Sequence, residues 1–243
     1  VWAMGWGIEA TLWIARAVAA LPGASFGVPH LPGWGFALLC LGLLWCGLWR
    51  SRLRWGGAAL LAAGLGSVAV TRPPDLLVSA DARVIAVHLA GEMFVQVTHG
   101  GGRFTEAAWQ HLWNTGPPFH LPHEGRGVDG AVLCERSGCT LRPRPDAGAA
   151  RLVREAERIG DCGGIAVLVS AEPARGLCAK PWPALVDRFT VWREGATAIW
   201  LEPTGVRLLT DRADRGTRPW VPPVPQPHAR PPRSTLLPAL EDK

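Results

Sequence analysis

Charged residues are scarce in the first part of this 243-residue chain. From residue 10 to residue 70 the only charged side chains are Arg16, Arg50, Arg52 and Arg54. On either side of the stretch "RSRLR", residues 31–49 and 55–71 are apolar runs. A buried helical hairpin in a soluble core is one interpretation of these runs. Their continuous lack of polar residues disfavours this interpretation. The three clustered arginines between them disfavour it as well, because charged side chains are rarely buried in a soluble core.

Both apolar runs have the length of a short membrane-spanning helix. The sequence therefore predicts a transmembrane helical hairpin over residues 31–71. By the positive-inside rule, Arg50, Arg52 and Arg54 are predicted topology determinants that face the cytoplasm, which puts residues 72–243 on the periplasmic side of a bacterial inner membrane. Residues 1–30, with one acid and one base among small apolar residues, are predicted to form an interfacial amphipathic helix and a linker.

The sequence also lacks the phosphate-binding motif of P-loop enzymes and the zinc-binding motif of metalloproteases. It contains no G-x-x-x-x-G-K-[ST] and no H-E-x-x-H. The nearest approach to a metal cluster is His120-x-x-His123 with Glu124, which lies in a proline-bounded loop where a solvated segment is the favoured interpretation. No nucleophile has a plausible neighbouring base. The sequence therefore predicts no enzyme, no catalytic or metal-binding residue, and no cofactor.

Acidic and basic residues become dense after residue 71. Residues 76–97 alternate in the two-residue period of strands, and residues 105–113 have the pattern of a helix. Residues 149–160, "AARLVREAERIG", are predicted as a second helix, and residues 196–211 as a final hairpin. Strands before and between two helices predict a small α+β domain over residues 72–220. The proline-rich tail, residues 221–243, is predicted to be disordered.

Six cysteines divide into two groups. Cys40 and Cys46 lie in the first apolar run, whereas the polar domain contains Cys134, Cys139, Cys162 and Cys178. In an oxidising compartment these last four are candidates for two disulfides, with three possible pairings. The pairs 134–139 and 162–178 are favoured because each closes a locally bounded loop, and the crossed pairings stay open.

Four stretches of the sequence carry a family resemblance. They are "MGWGIEATLWIARAVAALPGA", "LPGWGFALLCLGLLWCGLWRSRLRW", "RPPDLLVSADARVIAVH" and "ALVDRFTVWREGATAIWLE". In this order, from about residue 3 to residue 220, the chain resembles the C-terminal part of the ComEC family of competence proteins, in its alphaproteobacterial form. The family forms an inner-membrane channel that carries one strand of incoming DNA into the cytoplasm during natural transformation.

The resemblance implies that the chain holds the family's interfacial helix, its last two membrane helices and its C-terminal domain. In many members this last domain is metallo-β-lactamase-like and is proposed to degrade the DNA strand that is not transported. Such chemistry needs an H-x-H-x-D-H cluster to bind the metal, and the chain has none. The resemblance therefore implies a degenerate, metal-free remnant of that fold, held by disulfides, and no nuclease activity.

Two hypotheses about function follow. In the first, the protein contributes to transport of single-stranded DNA, with membrane lipid and the remaining channel helices or other competence proteins as further partners. A net charge of +5 and a pI near 9.2 are compatible with DNA contact. The possible DNA-contacting residues are Arg103, Arg126, Arg136, Arg142 and Arg144. In the second, the chain is a membrane-anchored, disulfide-stabilised periplasmic interaction domain without catalytic activity.

Overall fold

The structure of the protein is a computed structural model that describes residues 2–21, 31–98, 100, 102–128, 130–155, 162–178 and 183–224. The predicted linker falls in residues 22–30, and most of the predicted disordered tail falls in residues 225–243. Both segments lie outside the described residues.

Three helices precede the strands, namely α1 (Trp2–Ala19), α2 (Gly33–Leu48) and α3 (Arg54–Val70). None of the helices in the described ranges is long and apolar enough to cross a membrane. Helix α2 starts after Pro32 and stops before Trp49, whose backbone is extended. Its 16 residues rise about 24 Å, less than a hydrocarbon core of about 30 Å. The predicted membrane-anchored fold class, with its transmembrane hairpin over residues 31–71, is therefore wrong.

The predicted role of Arg50, Arg52 and Arg54 as topology determinants depended on those membrane spans, so it loses its basis. All three side chains are exposed at the connection between α2 and α3. The helix expected within residues 1–30 is α1, and its described side chains are exposed.

Small residues allow α2 and α3 to touch through their backbones. A Cβ atom on Gly42 would lie 2.9 Å from the Gly57 carbonyl oxygen, and one on Gly57 would lie 2.8 Å from the Gly42 carbonyl oxygen. Farther along, Ser67 fills the space beside Gly35, where an added Cβ would overlap its hydroxyl. Any larger side chain at these glycines would force the two helices apart.

The rest of the described chain forms twelve strands and three helices. In chain order they are β1 (Leu76–Val78), β2 (Val84–Leu89), β3 (Glu92–Val97), α4 (Arg103–Trp113), β4 (Phe119–His120), β5 (Gly125–Gly127), β6 (Val132–Glu135), β7 (Gly138–Leu141), β8 (Ala149–Val153), β9 (Ile165–Ser170), β10 (Ala184–Val186), α5 (Arg188–Glu194), β11 (Thr197–Glu202), β12 (Gly205–Thr210) and α6 (Asp211–Arg215).

These strands form two six-stranded sheets. Sheet A has the order β12-β11-β1-β2-β3-β4, and sheet B has the order β10-β9-β8-β7-β6-β5. In sheet A only β3 and β4 are parallel, whereas in sheet B the strands β8, β9 and β10 run parallel. The first strand, β1, lies between β2 and β11, with Leu76 opposite Ile199. The α+β content expected of the polar part is present as these two mixed sheets.

The main core lies between the two sheets. Leu76 and Ile85 from sheet A belong to the same buried cluster as Leu141, Leu152 and Val167 from sheet B. The alternate residues of sheet A, among them Met93, pack on the other face beneath the tryptophans of α4. Strand β2 is thus covered on both faces, which explains why five of its six residues are buried.

The segment predicted as a second helix contains a strand. Residues 149–153 form β8, and all five are buried. Leu152 joins the core between the sheets while Val153 packs on the outer face of sheet B. Because β8 lies inside a sheet that is covered on both faces, its sequence does not alternate, and a helical period fits it equally well.

A partly buried histidine makes the stability of this domain depend on pH. The imidazole of His88 stacks on Trp113 of α4, with 5.5 Å between ring centroids. Burial lowers the pKa of His88, while the charges of Asp75 and Glu92 act in the opposite direction. The folded protein therefore binds a proton at His88 less readily than the unfolded chain does. Stability should be complete above the ordinary histidine pKa of about 6.5 and decline as the pH falls below it.

We expect the thermal unfolding midpoint of the full chain to decrease as the pH is lowered from about 7.5 to about 5. Part of this decrease should be absent in His88→Phe. Phenylalanine keeps a ring against Trp113 but cannot take up a proton. The measurement is a series of melts of both proteins at matched ionic strength. Equal pH slopes for the two proteins would contradict the prediction.

Candidate functional site

A groove runs along one edge of the two packed sheets. It consists of three adjoining cavities of about 510, 560 and 400 Å³. The first two cavities share Thr98, Ala171 and Glu172, and the second and third share His123 and Arg154. We call this feature the edge groove. Strands β8 and β9 are parallel, so the residues that follow both strands meet at this edge.

Helix α5 and the turn between β1 and β2 form the first end of the groove. Arg188 and Trp192 of α5 line it opposite Asp81 and Arg83 of the turn. Helix α5 starts here because Asp187 caps it, accepting hydrogen bonds from the backbone N–H and the hydroxyl of Thr190, both at 2.9 Å. The side chain of Trp192 is 52% exposed, so its ring is accessible from solvent.

The carboxylate of Asp81 is held by its own turn. It accepts hydrogen bonds from the Ser79 hydroxyl at 2.5 Å and from the Arg83 backbone N–H at 3.1 Å. Burial raises the pKa of Asp81, but these hydrogen bonds and the Arg83 charge outweigh burial, so the pKa lies below its usual value. Asp81 is therefore a carboxylate at neutral pH.

Arg154 occupies the middle of the groove and ties the two sheets together. Its Nε donates to the Gln96 side-chain oxygen of β3 at 2.9 Å, and its Nη1 and Nη2 donate to the carbonyl oxygens of His123 and Pro122 at 2.7 Å each. All three acceptors are neutral, and Arg154 takes part in none of the ion pairs between described residues. Burial lowers the pKa of the guanidinium. An arginine nevertheless stays protonated, so the groove holds a cation with no acidic partner.

The other end of the groove carries an exposed ion pair. Arg136 Nε lies 3.6 Å from Glu124 Oε1, and the two side chains are 83% and 63% exposed. Glu155 completes this end of the groove. The groove thus contains acids as well as bases, and its cations are distributed along its length.

Of the five arginines proposed from the sequence to contact DNA, only Arg136 lines the edge groove. Arg103 starts α4, and Arg126 lies in β5. Arg142 and Arg144 follow β7, at the end of the β6–β7 hairpin opposite Arg136, and Arg144 is paired with Asp146 at 2.7 Å. The structure therefore does not bring the five together into one surface.

Three groove arginines were missed by the sequence analysis, namely Arg83, Arg154 and Arg188. Arg154 was assigned to a helix, although it directly follows β8. A usable signal existed at Arg188, because "VDRF" places a capping aspartate before a short amphipathic segment. The groove also gathers His120 and His123. Within the described ranges, no group of three or more His, Cys, Asp or Glu side chains is arranged to hold a metal ion.

The structure contains two disulfides, Cys134–Cys139 and Cys162–Cys178, which are the pairs favoured from the sequence. The first joins directly opposite residues of β6 and β7, and Arg136 and Ser137 form the turn between these strands. Two disulfides in one domain indicate an oxidising, extracytoplasmic location. Since the described helices include no membrane span, they do not support the predicted anchoring in the inner membrane.

The chain was compared with models of protein families, with curated proteins and with solved structures, and it matches none of them. The resemblance to the ComEC family therefore stays a prediction from the sequence.

Proposed function

We propose that this protein contributes to natural transformation on the periplasmic side of the cell, where its edge groove binds single-stranded DNA on the way to transport. The proposal takes the process from the resemblance to the ComEC family and the location from the two disulfides. The observation that carries the binding site is the groove itself, in which Arg154 and Arg188 lack acidic partners among the described residues and which the exposed side chain of Trp192 also lines.

These side chains suit a flexible nucleic-acid strand. Single-stranded DNA is bound without base specificity by cations that contact phosphates and by aromatic rings on which bases stack. Arg188 and Trp192 lie four residues apart on α5, so both side chains reach the same end of the groove. Farther along, Arg154 and the imidazoles of His120 and His123 offer further contacts.

The acids of the groove limit the affinity without closing the site. Arg83 lies 3.8 Å from Asp81 and Arg136 lies 3.6 Å from Glu124, both in exposed pairs. Such pairs contribute about 0–1 kcal/mol, so a phosphate can replace the carboxylate as partner. Glu155 and Glu172 stay in the groove as unfavourable charges. We therefore expect binding of moderate affinity that depends steeply on salt. Moderate affinity suits a DNA strand that must be released for transport.

The test is fluorescence anisotropy of a labelled 20-nucleotide thymidine strand titrated with the full chain at several salt concentrations. Arg188→Ala and Trp192→Ala should each weaken binding about tenfold, since stacking on one aromatic ring stabilises a base by about 1–3 kcal/mol. For Arg188→Ala the slope of log affinity against log salt should also drop, by about 0.7 for one lost phosphate contact.

Arg103→Ala is the matched control, because it removes an exposed arginine outside the groove. It should leave the affinity within about twofold of wild type, as expected for a distant rim charge. Equal losses in Arg103→Ala and Arg188→Ala would show that binding follows net charge and that the groove is not the site. Absence of any salt-sensitive binding by the wild-type chain would contradict the proposal altogether.

A second function, that of an interaction domain without its own ligand, is favoured by the first three helices. Their exposed apolar side chains include Trp2, Trp6, Trp13, Phe36, Leu48 and Trp55. Large exposed apolar surface marks contact sites for other proteins. The remaining channel helices, or other competence proteins, are the partners that the family resemblance suggests. Uptake of fluorescent DNA that is unchanged by Arg188→Ala in the source cell would favour this second function.

A further inference from the structure

The two disulfides lie in very different surroundings. Cys134 and Cys139 are 3% and 0% exposed, and both belong to the core between the sheets. Cys162 is also buried, but Cys178 is partly exposed and lines a cavity of about 370 Å³ against sheet B. The walls of this cavity include Leu168 and Leu185. Among the four bridged cysteines, Cys178 is therefore the most exposed, and it lines a cavity.

Exposure decides which disulfide can react while the protein stays folded. A disulfide is cleaved when a thiolate approaches one sulfur in line with the S–S bond, so the attacked sulfur must be accessible. Arg175 lines the same cavity as Cys178, and a nearby guanidinium stabilises the thiolate forms that take part in exchange. The Cys134–Cys139 bridge offers no such approach until the two sheets separate.

We propose that Cys162–Cys178 is a thiol–disulfide exchange site, entered at Cys178 by an extracytoplasmic dithiol. One thiolate of the dithiol attacks Cys178 Sγ, a mixed disulfide forms, and Cys162 leaves as the thiolate. The second thiol of the dithiol, after losing its proton, attacks its own sulfur in the mixed disulfide and releases Cys178. The dithiol is oxidised to a disulfide by two electrons, and the two cysteines take up two protons and become thiols. The reverse sequence reoxidises the site.

This exchange site regulates the edge groove, an inference that rests on the proposed function of that groove. The bridge fixes the end of the segment that follows β9, and this segment supplies Ala171 and Glu172 to the groove. Its Ala174 backbone N–H donates to Asp187 Oδ2 at 3.4 Å, and Asp187 caps the helix that carries Arg188 and Trp192. Reduction releases the far end of the segment, so the wall of the groove and the start of α5 become less ordered.

The first test measures the order in which the bridges open. The free thiols of Cys40 and Cys46 are blocked with N-ethylmaleimide, and the full chain is then exposed to increasing dithiothreitol under native conditions. Newly formed thiols are alkylated with iodoacetamide and located by peptide mass spectrometry. Cys162 and Cys178 should be labelled at a dithiothreitol concentration about tenfold lower than Cys134 and Cys139. Labelling of all four at one concentration, or of Cys134 and Cys139 first, would overturn the proposal.

A pair of single variants identifies the sulfur that is attacked. Cys162→Ser leaves only the Cys178 thiol at the bridge, and Cys178→Ser leaves only Cys162. Oxidised glutathione should form a mixed disulfide at Cys178 of Cys162→Ser about tenfold faster than at Cys162 of Cys178→Ser, with the modified cysteine located by peptide mass spectrometry. If both variants unfold, the reduction series on the wild-type chain still tests whether the Cys162–Cys178 bridge opens first. Equal rates in two folded variants would show that Cys178 is not the entry point.

Hydrogen exchange tests the link to the groove without DNA. After selective reduction, the backbone amides of residues 171–178 and 188–194 should exchange faster, while those of β6 and β7 should stay protected. Unchanged exchange in residues 188–194 would refute regulation of the groove even if the bridge opens first. Failure of DNA binding by the oxidised chain would instead contradict the proposed function and leave these exchange results standing.

Discussion

Gly138→Ala is expected to destabilise the domain by about 3–5 kcal/mol, because overpacking and backbone strain act together at this position. A Cβ atom on Gly138 would lie 1.9 Å from the carbonyl oxygen of Leu152 and 3.2 Å from the Cα atom of Val153. Both atoms belong to the backbone of β8, which cannot rotate away as a flexible side chain could. Gly138 also has a φ of +151°, a conformation that alanine adopts only under strain.

This loss is a large part of the roughly 5–15 kcal/mol that stabilises a domain. The measurement is urea unfolding of the full chain, followed by far-ultraviolet circular dichroism. Gly127→Ala is the control, because a Cβ there would meet only the Cβ of Val132 at an ordinary 3.9 Å. We expect the control to stay within about 0.5–1 kcal/mol of wild type. A Gly138→Ala protein as stable as the control would show that β7 and β8 do not approach as closely as described.

Asp187→Ala is expected to cost about 2–3 kcal/mol and to loosen the end of the edge groove. The carboxylate is 1% exposed, and it satisfies the backbone N–H groups of Thr190 and Ala174. Alanine removes the N-cap of α5, which costs about 1–2 kcal/mol, and leaves the amide of Ala174 without its partner. Because α5 carries Arg188 and Trp192, affinity for single-stranded DNA should fall together with stability.

Asp187→Asn separates the two contributions. Its amide oxygen can still accept from Thr190, whereas its amide nitrogen would face the Ala174 N–H, and two donors cannot bond. This variant should therefore keep α5 capped and lose about half as much stability as the alanine variant. Urea unfolding and the anisotropy titration provide the two readouts. If Asp187→Ala binds the strand as tightly as wild type, α5 does not need its cap to present Arg188 and Trp192.

Local patterns predicted the parts of the fold that local chemistry determines. Strands β2 and β3 were identified from alternation, and the β6–β7 hairpin from two short strands around a turn. The β11–β12 hairpin, with its tight turn at Pro203 and Thr204, was found in the same way. In each case the paired strands are consecutive in the chain, so one short stretch of sequence is enough to predict that they pair.

Interactions between distant segments explain the failures. Strand β8 was assigned to a helix because its burial comes from its sheet neighbours β7 and β9 and from packing on both faces of the sheet. The apolar runs were taken as membrane spans because hydropathy does not report where a helix ends. Helix α2 begins after Pro32 and ends before Trp49, so it is shorter than the apolar run of residues 31–49.

The edge groove was even harder to predict from the sequence, because it is built from segments that are distant in the chain. Arg83, Arg154 and Arg188 come from three separate segments and meet only because both sheets end at one edge. The five arginines proposed from the sequence were chosen for their charge, but the order of the strands decides where each of them lies. Without that order, no pattern of charges could distinguish Arg136, which lines the groove, from Arg142, which does not.

The position of β1 has a consequence for how the domain is made. Leu76 pairs with Ile199, so sheet A cannot close until the last hairpin of the domain has left the ribosome or the secretion machinery. Pairing across such a sequence separation makes folding slow. Cys134 and Cys139, by contrast, meet within one hairpin and can be oxidised while the sheets are still apart. The bridge that ends up sealed in the core is therefore expected to form first, and the closing sheets then protect it.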